Sequence, residues 1–386
     1  MTVSVRKPTM KISVYWIFII FLMPTFLTYR RDLSVLCDAW HFLQVPVVIV
    51  GTIFYITKYR ASNKIVNAII IYYIVAIVSC YFNGYTVNTI KWDITADLGI
   101  VLFAFMSIKR NGKAFLNCLS NIFFTYLLIN TVTMIVFPHG IASGRIGQVV
   151  WFLGGKNNIL PWILIGGGCL TLNSFEQFGK ITKKTYLQLA ICSLQAFLCD
   201  SSTAVLIILS YWLLLFVNAA IKNERIMEYL IGGKRIFFIV AAAFIFIIFF
   251  TTQSSALQSF SEWLGKDITF NGRTAIWLIA LDYIKAKPLI GMGPALTFDM
   301  GWGVNMTHAH CLYLNVCAHY GILALLCLIF CVWSVLKDAR KISIQVIFSL
   351  FLYLIGSIIE VYSLNTLFLF CLVLNYFSDK TGVKAE

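Results

Sequence analysis

Apolar runs long enough to cross a bilayer recur along almost the whole chain. A helical span needs about 20 mostly apolar residues. Twelve runs approach that length, at about 12–29, 42–57, 65–82, 93–108, 114–137, 158–175, 185–199, 202–221, 236–252, 311–335, 342–360 and 363–377. Only 12% of residues are charged and 60% are apolar. A soluble domain carries roughly 25% charged residues, so this chain cannot clothe a water-soluble globule of its size. Disorder requires the opposite balance. The sequence therefore predicts an all-α polytopic membrane protein, read as a single transmembrane domain over 1–386 with about 12 transmembrane helices. The first run shows no small-residue cleavage site and reads as an anchor.

Charge supports a topology. The net charge is +14, which in a soluble chain would point to nucleic acid. Here it follows the positive-inside bias instead. With the N-terminus in the cytoplasm, 21 of the 30 Lys and Arg fall in inside segments and 9 fall outside. Both termini are then cytoplasmic. Most of the 11 Cys lie within apolar runs, which is core-like usage rather than a disulfide framework.

Two outside segments are longer than a connection requires, 138–157 and 253–310, and long loops are often functional. The second contains GRTAIWLIALDYIKAK. Asn271 suits a helix cap and Pro288 ends the helix. Ile276, Trp277, Ala280, Leu281 and Ile284 make an apolar stripe at helical spacing. About 15 residues rise only ~22 Å, too little to span the membrane. The prediction is a short interfacial helix, its stripe against lipid or the bundle.

The chemistry-bearing residues cluster in these two loops. Arg145 and Lys156-Asn157-Asn158 belong to the first. Arg273, the Gly291-Met292-Gly293-Pro294 turn and His308-Ala309-His310 belong to the second. Guanidinium groups suit phosphate, and a His titrates near neutrality. Two arginines and a His at the outer face suit group transfer from a lipid pyrophosphate. The cations would stabilise the leaving group, and the His would deprotonate a sugar hydroxyl. The sequence has no DxD motif, so no metal or other cofactor is expected. His308 and His310, at i and i+2, would face apart on a helix, which argues against a metal pair. Against these readings, a loop Arg often simply snorkels to headgroups. His319 reads as a packed or hydrogen-bonded residue. Asp97, inside a span, is either functional or a paired structural group. Asp200, with Ser201, Ser202 and Thr203, reads as a helix cap.

NGRTAIWLIALDYIKAKPLIGMGPA followed by THAHCLYLNVCAHYGILA resembles the O-antigen ligase and Wzy-type polysaccharide polymerase superfamily of bacterial inner membranes. GRIGQVVWFLGGKNN and CDSSTAVLII are weaker matches to the same family. The ligase pattern H-[NSQ]-x9-G falls on His310 and Gly321, but Cys311 and Ala324 depart from it. The resemblance implies about twelve helices, an outward-facing catalytic cavity and an inverting, lipid-carrier-dependent glycosyl transfer. It implies His310 as base and Arg273 and Arg145 as pyrophosphate binders. His308, Asn158, Lys156 and Trp277 are the expected substrate contacts. The expected substrate is an undecaprenyl-pyrophosphate-linked oligosaccharide, polymerised at the outer face of the bacterial cytoplasmic membrane. A chain-length regulator and a flippase would be its partners, and no nucleic acid. A ligase, or a transporter or flippase of lipid-linked glycans, is the alternative. Transporters tend to carry paired interrupted helices, and WILIGGGCL has no obvious mate in this sequence.

Overall fold

The computed structural model describes residues 14–144, 148–221, 226, 229, 232–252, 269–299 and 305–381. It is almost wholly helical, with a few strands of two or three residues. Eleven α-helices are named in chain order: α1 (Ser34–Thr57), α2 (Lys64–Phe82), α3 (Lys91–Val136), α4 (Lys156–Phe178), α5 (Lys183–Leu198), α6 (Ser202–Ile221), α7 (Lys234–Thr252), α8 (Thr269–Ala286), α9 (Leu312–Leu336), α10 (Ile344–Ile359) and α11 (Leu364–Thr381). Six of them, α1, α2, α3, α4, α6 and α9, are long and apolar enough to cross a membrane.

Most predicted runs match a helix, and the departures have local causes. The run at 12–29 is not one α-helix. Its described part forms 3₁₀ segments at Val14–Phe21 and Thr25–Tyr29. Pro24 separates them, because it lacks an N–H and disfavours the α region at Met23. The runs 93–108 and 114–137 are the two legs of α3, broken at Asn111 (φ −160°, ψ 88°). Phe18 packs on both Phe103 and Phe115, with ring centroids 5.9 and 5.5 Å away. A straight helix would hold those two residues about 18 Å apart, so the chain doubles back. Asn111 starts the second leg by accepting the Ala114 N–H at 3.1 Å. A Cβ on Gly112 would lie 2.4 Å from the Tyr376 ring, so the reversal is packed tightly. The chain also breaks between α5 and α6. There Ser201, rather than Asp200, accepts the Ala204 N–H, at 3.4 Å, while Asp200 takes a left-handed φ of 50°.

Packing sorts the helices by exposure. The apolar stretch of α1 is almost entirely on the outside, whereas most of α4 is buried. An apolar surface like that of α1 fits a helix set against lipid. One hydrophobic core joins α2, α3, α4, α9, α10 and α11. All 11 cysteines are free.

The described part of the segment 138–157 carries a small antiparallel sheet, with strands at Ala142–Ser143, Val149–Trp151 and Gly154–Gly155. Its last turn is tied into the bundle by a buried amide network. Asn130 accepts the Leu153 N–H at 2.8 Å and donates to Gln195 at 2.6 Å. Such interhelical bonds satisfy polar groups where water is absent. They also fix the start of α4, which carries Lys156 and Asn157.

Candidate functional site

Three ends of the bundle meet at one carboxylate. Glu360 follows the last residue of α10, and its side chain is only 8% exposed. Its Oε2 accepts from Arg273 at 3.3 Å and from Asn157 Nδ2 at 2.9 Å. Its Oε1 lies 3.1 Å from His310 Nδ1. A carboxylate buried without such partners would be expensive. Burial alone would raise the Glu360 pKa. The hydrogen bond and charge of His310, with the Arg273 guanidinium, outweigh burial and hold the carboxyl below its usual range.

Each partner is positioned by backbone. Arg273 lies in the first turns of α8, whose stripe is buried through Ile276, Trp277 and Ala280. The expected interfacial helix therefore turns its stripe toward the bundle rather than toward lipid. Trp277 is fully buried and donates from its indole to the Ala309 carbonyl at 2.8 Å. Its place in the structure is as a pin on the His308–His310 loop. The other side of that loop is held by Asn315, which accepts the Ala309 N–H at 2.9 Å. His310 is forced to a φ of +48°, uncommon for a side-chain-bearing residue and a mark of strain at functional sites.

That loop corrects one expectation from sequence. His308 and His310 do not face apart, because they are not on a helix; their ring centroids are 4.3 Å apart. Burial first, and the neighbouring His310 second, lower the pKa of His308. His308, His310 and Glu360 each offer a ligand atom, all within 4.8 Å of one another. These are the residues that could hold a metal ion, but Arg273 already places a positive charge on the same carboxylate.

The glycine turn has a mechanical role. Gly321 breaks α9 at φ 80°, and a Cβ there would meet the Leu289 carbonyl oxygen at 2.1 Å. The turn after α8 docks in that break. Met292 N–H donates to Ala318 O at 2.8 Å, Gly293 N–H to His319 O at 2.9 Å and Ile322 N–H to Pro288 O at 2.8 Å. His319 closes the contact with Nδ1 3.1 Å from Gly293 O. The two stretches that carry the family resemblance are thus one packed unit.

The other predicted residues divide. Lys156 borders a narrow crevice that also includes Asn157, Ser201, Thr203, Glu360 and Tyr362. Asn158 lines a different cavity, about 340 Å³, with Thr25, Trp162 and Ser363. Its neighbour Asn157 is the one that touches Glu360. Arg145 lies outside the described residues. Glu360 and Asn157 are additions to the predicted set. Glu360 had a signal, since an ionisable group at the edge of an apolar run is a functional candidate by default.

Residues 187–329 match the family model described as O-antigen ligase, which accords with the resemblance read from the sequence. No curated protein matches the chain. The matched stretch contains Arg273, Trp277, His308, His310 and Gly321, and it ends before Glu360.

Proposed function

With an O-antigen ligase match over 187–329 as the premise, we propose that this membrane protein polymerises oligosaccharide repeat units. It moves a growing glycan from undecaprenyl pyrophosphate to a sugar hydroxyl on an incoming lipid-linked unit. The observation that carries the reading is the convergence of His310 and Arg273 on Glu360. The positive-inside bias of the sequence supports a site on the outer face of a bacterial cytoplasmic membrane, in a chain of about twelve spans with both termini inside.

The bond from Nδ1 to an ionised carboxylate assigns the proton to Nδ1. That leaves Nε2 as the lone-pair nitrogen. Nε2 takes the proton from the acceptor hydroxyl. The oxygen forms a bond to the anomeric carbon while the bond from that carbon to pyrophosphate oxygen breaks. Attack opposite the leaving group inverts the centre. The electron pair leaves on the pyrophosphate, and Arg273, Lys156 and Arg145 stabilise its growing charge. Glu360 stabilises the imidazolium until its proton passes to the leaving group or to water. The pyrophosphate bond supplies the driving force, so neither ATP nor a nucleotide sugar is consumed. In this reading the cationic side chains do the electrostatic work that a divalent ion does elsewhere, and chain growth is expected to persist in a chelator.

Transfer of the finished glycan to another acceptor is the second reading. The polymerase is favoured because Cys311 and Ala324 depart from the ligase pattern, and Cys311 is fully buried in the apolar cluster under α8. The experiment supplies purified protein in vesicles with lipid-linked repeat units. Chain growth is expected. Transfer to a non-sugar-lipid acceptor without elongation would convert the reading to ligase. If Arg273→Ala and His310→Ala leave chain length unchanged while translocation fails, the protein is a transporter.

A further inference from the structure

A second polar cavity of about 290 Å³ opens at the same end of the bundle, close to the lower size of small-molecule sites, about 300 Å³. Its wall includes Tyr72, Tyr73, Asp93, Asp97, Asn315 and Tyr320. We propose that it seats a neutral sugar ring of the acceptor glycan beside the reaction centre. The proposal rests on the glycan-transfer reading above and deepens it.

Place is the first argument. The cavity is also bounded by Leu312 and by the turn Val361–Asn365. His310 precedes Leu312 by two residues, and Glu360 immediately precedes Val361. Asn315, on the cavity wall, holds the His310 loop through the Ala309 N–H. The same two segments therefore carry both the base with its carboxylate and one side of the cavity.

Charge is the second argument. The cavity wall has two carboxylates and no Lys or Arg among its described residues. A pyrophosphate would find no cation there, while Arg273 and Lys156 sit on the Glu360 side. What enters this cavity is uncharged and rich in hydroxyls. Asp97 is a buried acid within an apolar helix, and such groups are rare unless they serve a pathway or a ligand. The Tyr73 hydroxyl donates to Asp97 Oδ2. A carboxylate has about four acceptor sites, so one phenol does not exhaust it. Hydroxyls of a sugar ring fit the remainder. Tyr72 and Tyr320, edge-to-face at 6.0 Å, add aromatic surface for the C–H faces of the ring.

Sugar binding is measured without turnover by saturation-transfer NMR on the full chain in nanodiscs. The probes are the methyl glycosides of glucose, galactose and N-acetylglucosamine, with methyl glucuronide as the anionic counterpart. At least one neutral glycoside is expected to bind and the glucuronide to fail. Removing one partner of a buried hydrogen bond weakens binding about 10- to 100-fold, so Asp97→Asn is expected to do so. Tyr73→Phe, which removes the phenol that holds the Asp97 carboxyl in place, is expected to weaken binding as well. Tyr73→Phe keeps the volume and serves if Asp97→Asn does not fold. The inference is overturned if no neutral glycoside binds, if the glucuronide binds as well, or if the variants bind unaltered. Its failure is separable from that of the glycan-transfer reading. Wild-type chain growth with an unaltered acceptor KM in Asp97→Asn sinks the cavity alone. Absence of chain growth sinks the reaction while leaving the binding result to stand.

Discussion

Glu360 and Asp97 are both buried acids at one end of the same bundle, yet their surroundings are opposite. Glu360 is ringed by a guanidinium, an imidazole and an amide. Asp97 has a phenol hydroxyl on it and another acid, Asp93, one helical turn away on the cavity wall. The difference separates two kinds of work. A carboxylate matched by positive groups holds charge steady while a proton and a pyrophosphate move nearby. A carboxylate matched by hydroxyls has acceptor capacity left for more hydroxyls. Neither role follows from the residue type; both follow from the neighbours.

The largest expected effects fall on the Glu360 side. His310→Ala should lower the rate of chain growth by about 10²–10⁴-fold, the range for a positioned general base. Glu360→Gln should also impair the rate severely, because an amide neither fixes the Nδ1 tautomer nor stabilises the imidazolium. If Glu360→Gln elongates at the wild-type rate while Asp97→Asn abolishes the rate constant itself, the two roles are reversed. Next is Arg273→Ala, with a loss of about 10²–10³-fold in kcat, as for removal of one charge-stabilising donor. Arg273→Lys should not restore the rate, because a point charge does not reproduce the planar fork.

Trp277→Phe is a smaller test of positioning. It removes the bond to the Ala309 carbonyl while keeping most of the buried ring. The expected loss is about 1 kcal/mol of stability, read as a lower Tm, together with a raised KM for acceptor. An unchanged Tm and KM would show that the His308–His310 loop holds itself.

The smallest effect is in pH. Glu360 has a folded pKa below its unfolded one, so its contribution is complete above the unfolded value and is lost as pH falls through the folded value. His308 has its pKa lowered by burial and by His310. The unfolded chain therefore binds the extra proton first, below the ordinary value of 6.5, and stability again declines with acid. Thermal unfolding from pH 7 to well below pH 4.5 should show falling stability in two steps, the upper beginning below 6.5 and the lower below 4.5. His308→Gln should flatten the upper step and Glu360→Gln the lower. A profile unchanged by either substitution would remove the electrostatic account of Glu360.

How much of this was legible beforehand depends on the range of the interaction. The stripe Ile276, Trp277 and Ala280 is readable at helical spacing and is buried as a face; only packing decides between the bundle and lipid as its cover. The break at Asn111 falls in the connection between two apolar runs and is readable as such, whereas the break at Gly321 falls inside one run and leaves no mark as a turn. Nothing local distinguishes the adjacent amides Asn157 and Asn158, and only packing sets Asn157 on Glu360 and Asn158 in another cavity. Helical spacing would set His308 and His310 apart, but they lie in a loop that brings their rings together.

The sequence by itself determined that this is a helical membrane protein and where its apolar segments run. Those properties depend on the length and composition of each segment, and every segment carries its own answer. Only the tertiary structure decided which groups share a carboxylate. Glu360 meets His310 across 50 residues, Arg273 across 87 and Asn157 across 203. A pairing over such separations is set by where helix ends are packed, and side-chain spacing along the chain has no hold on it.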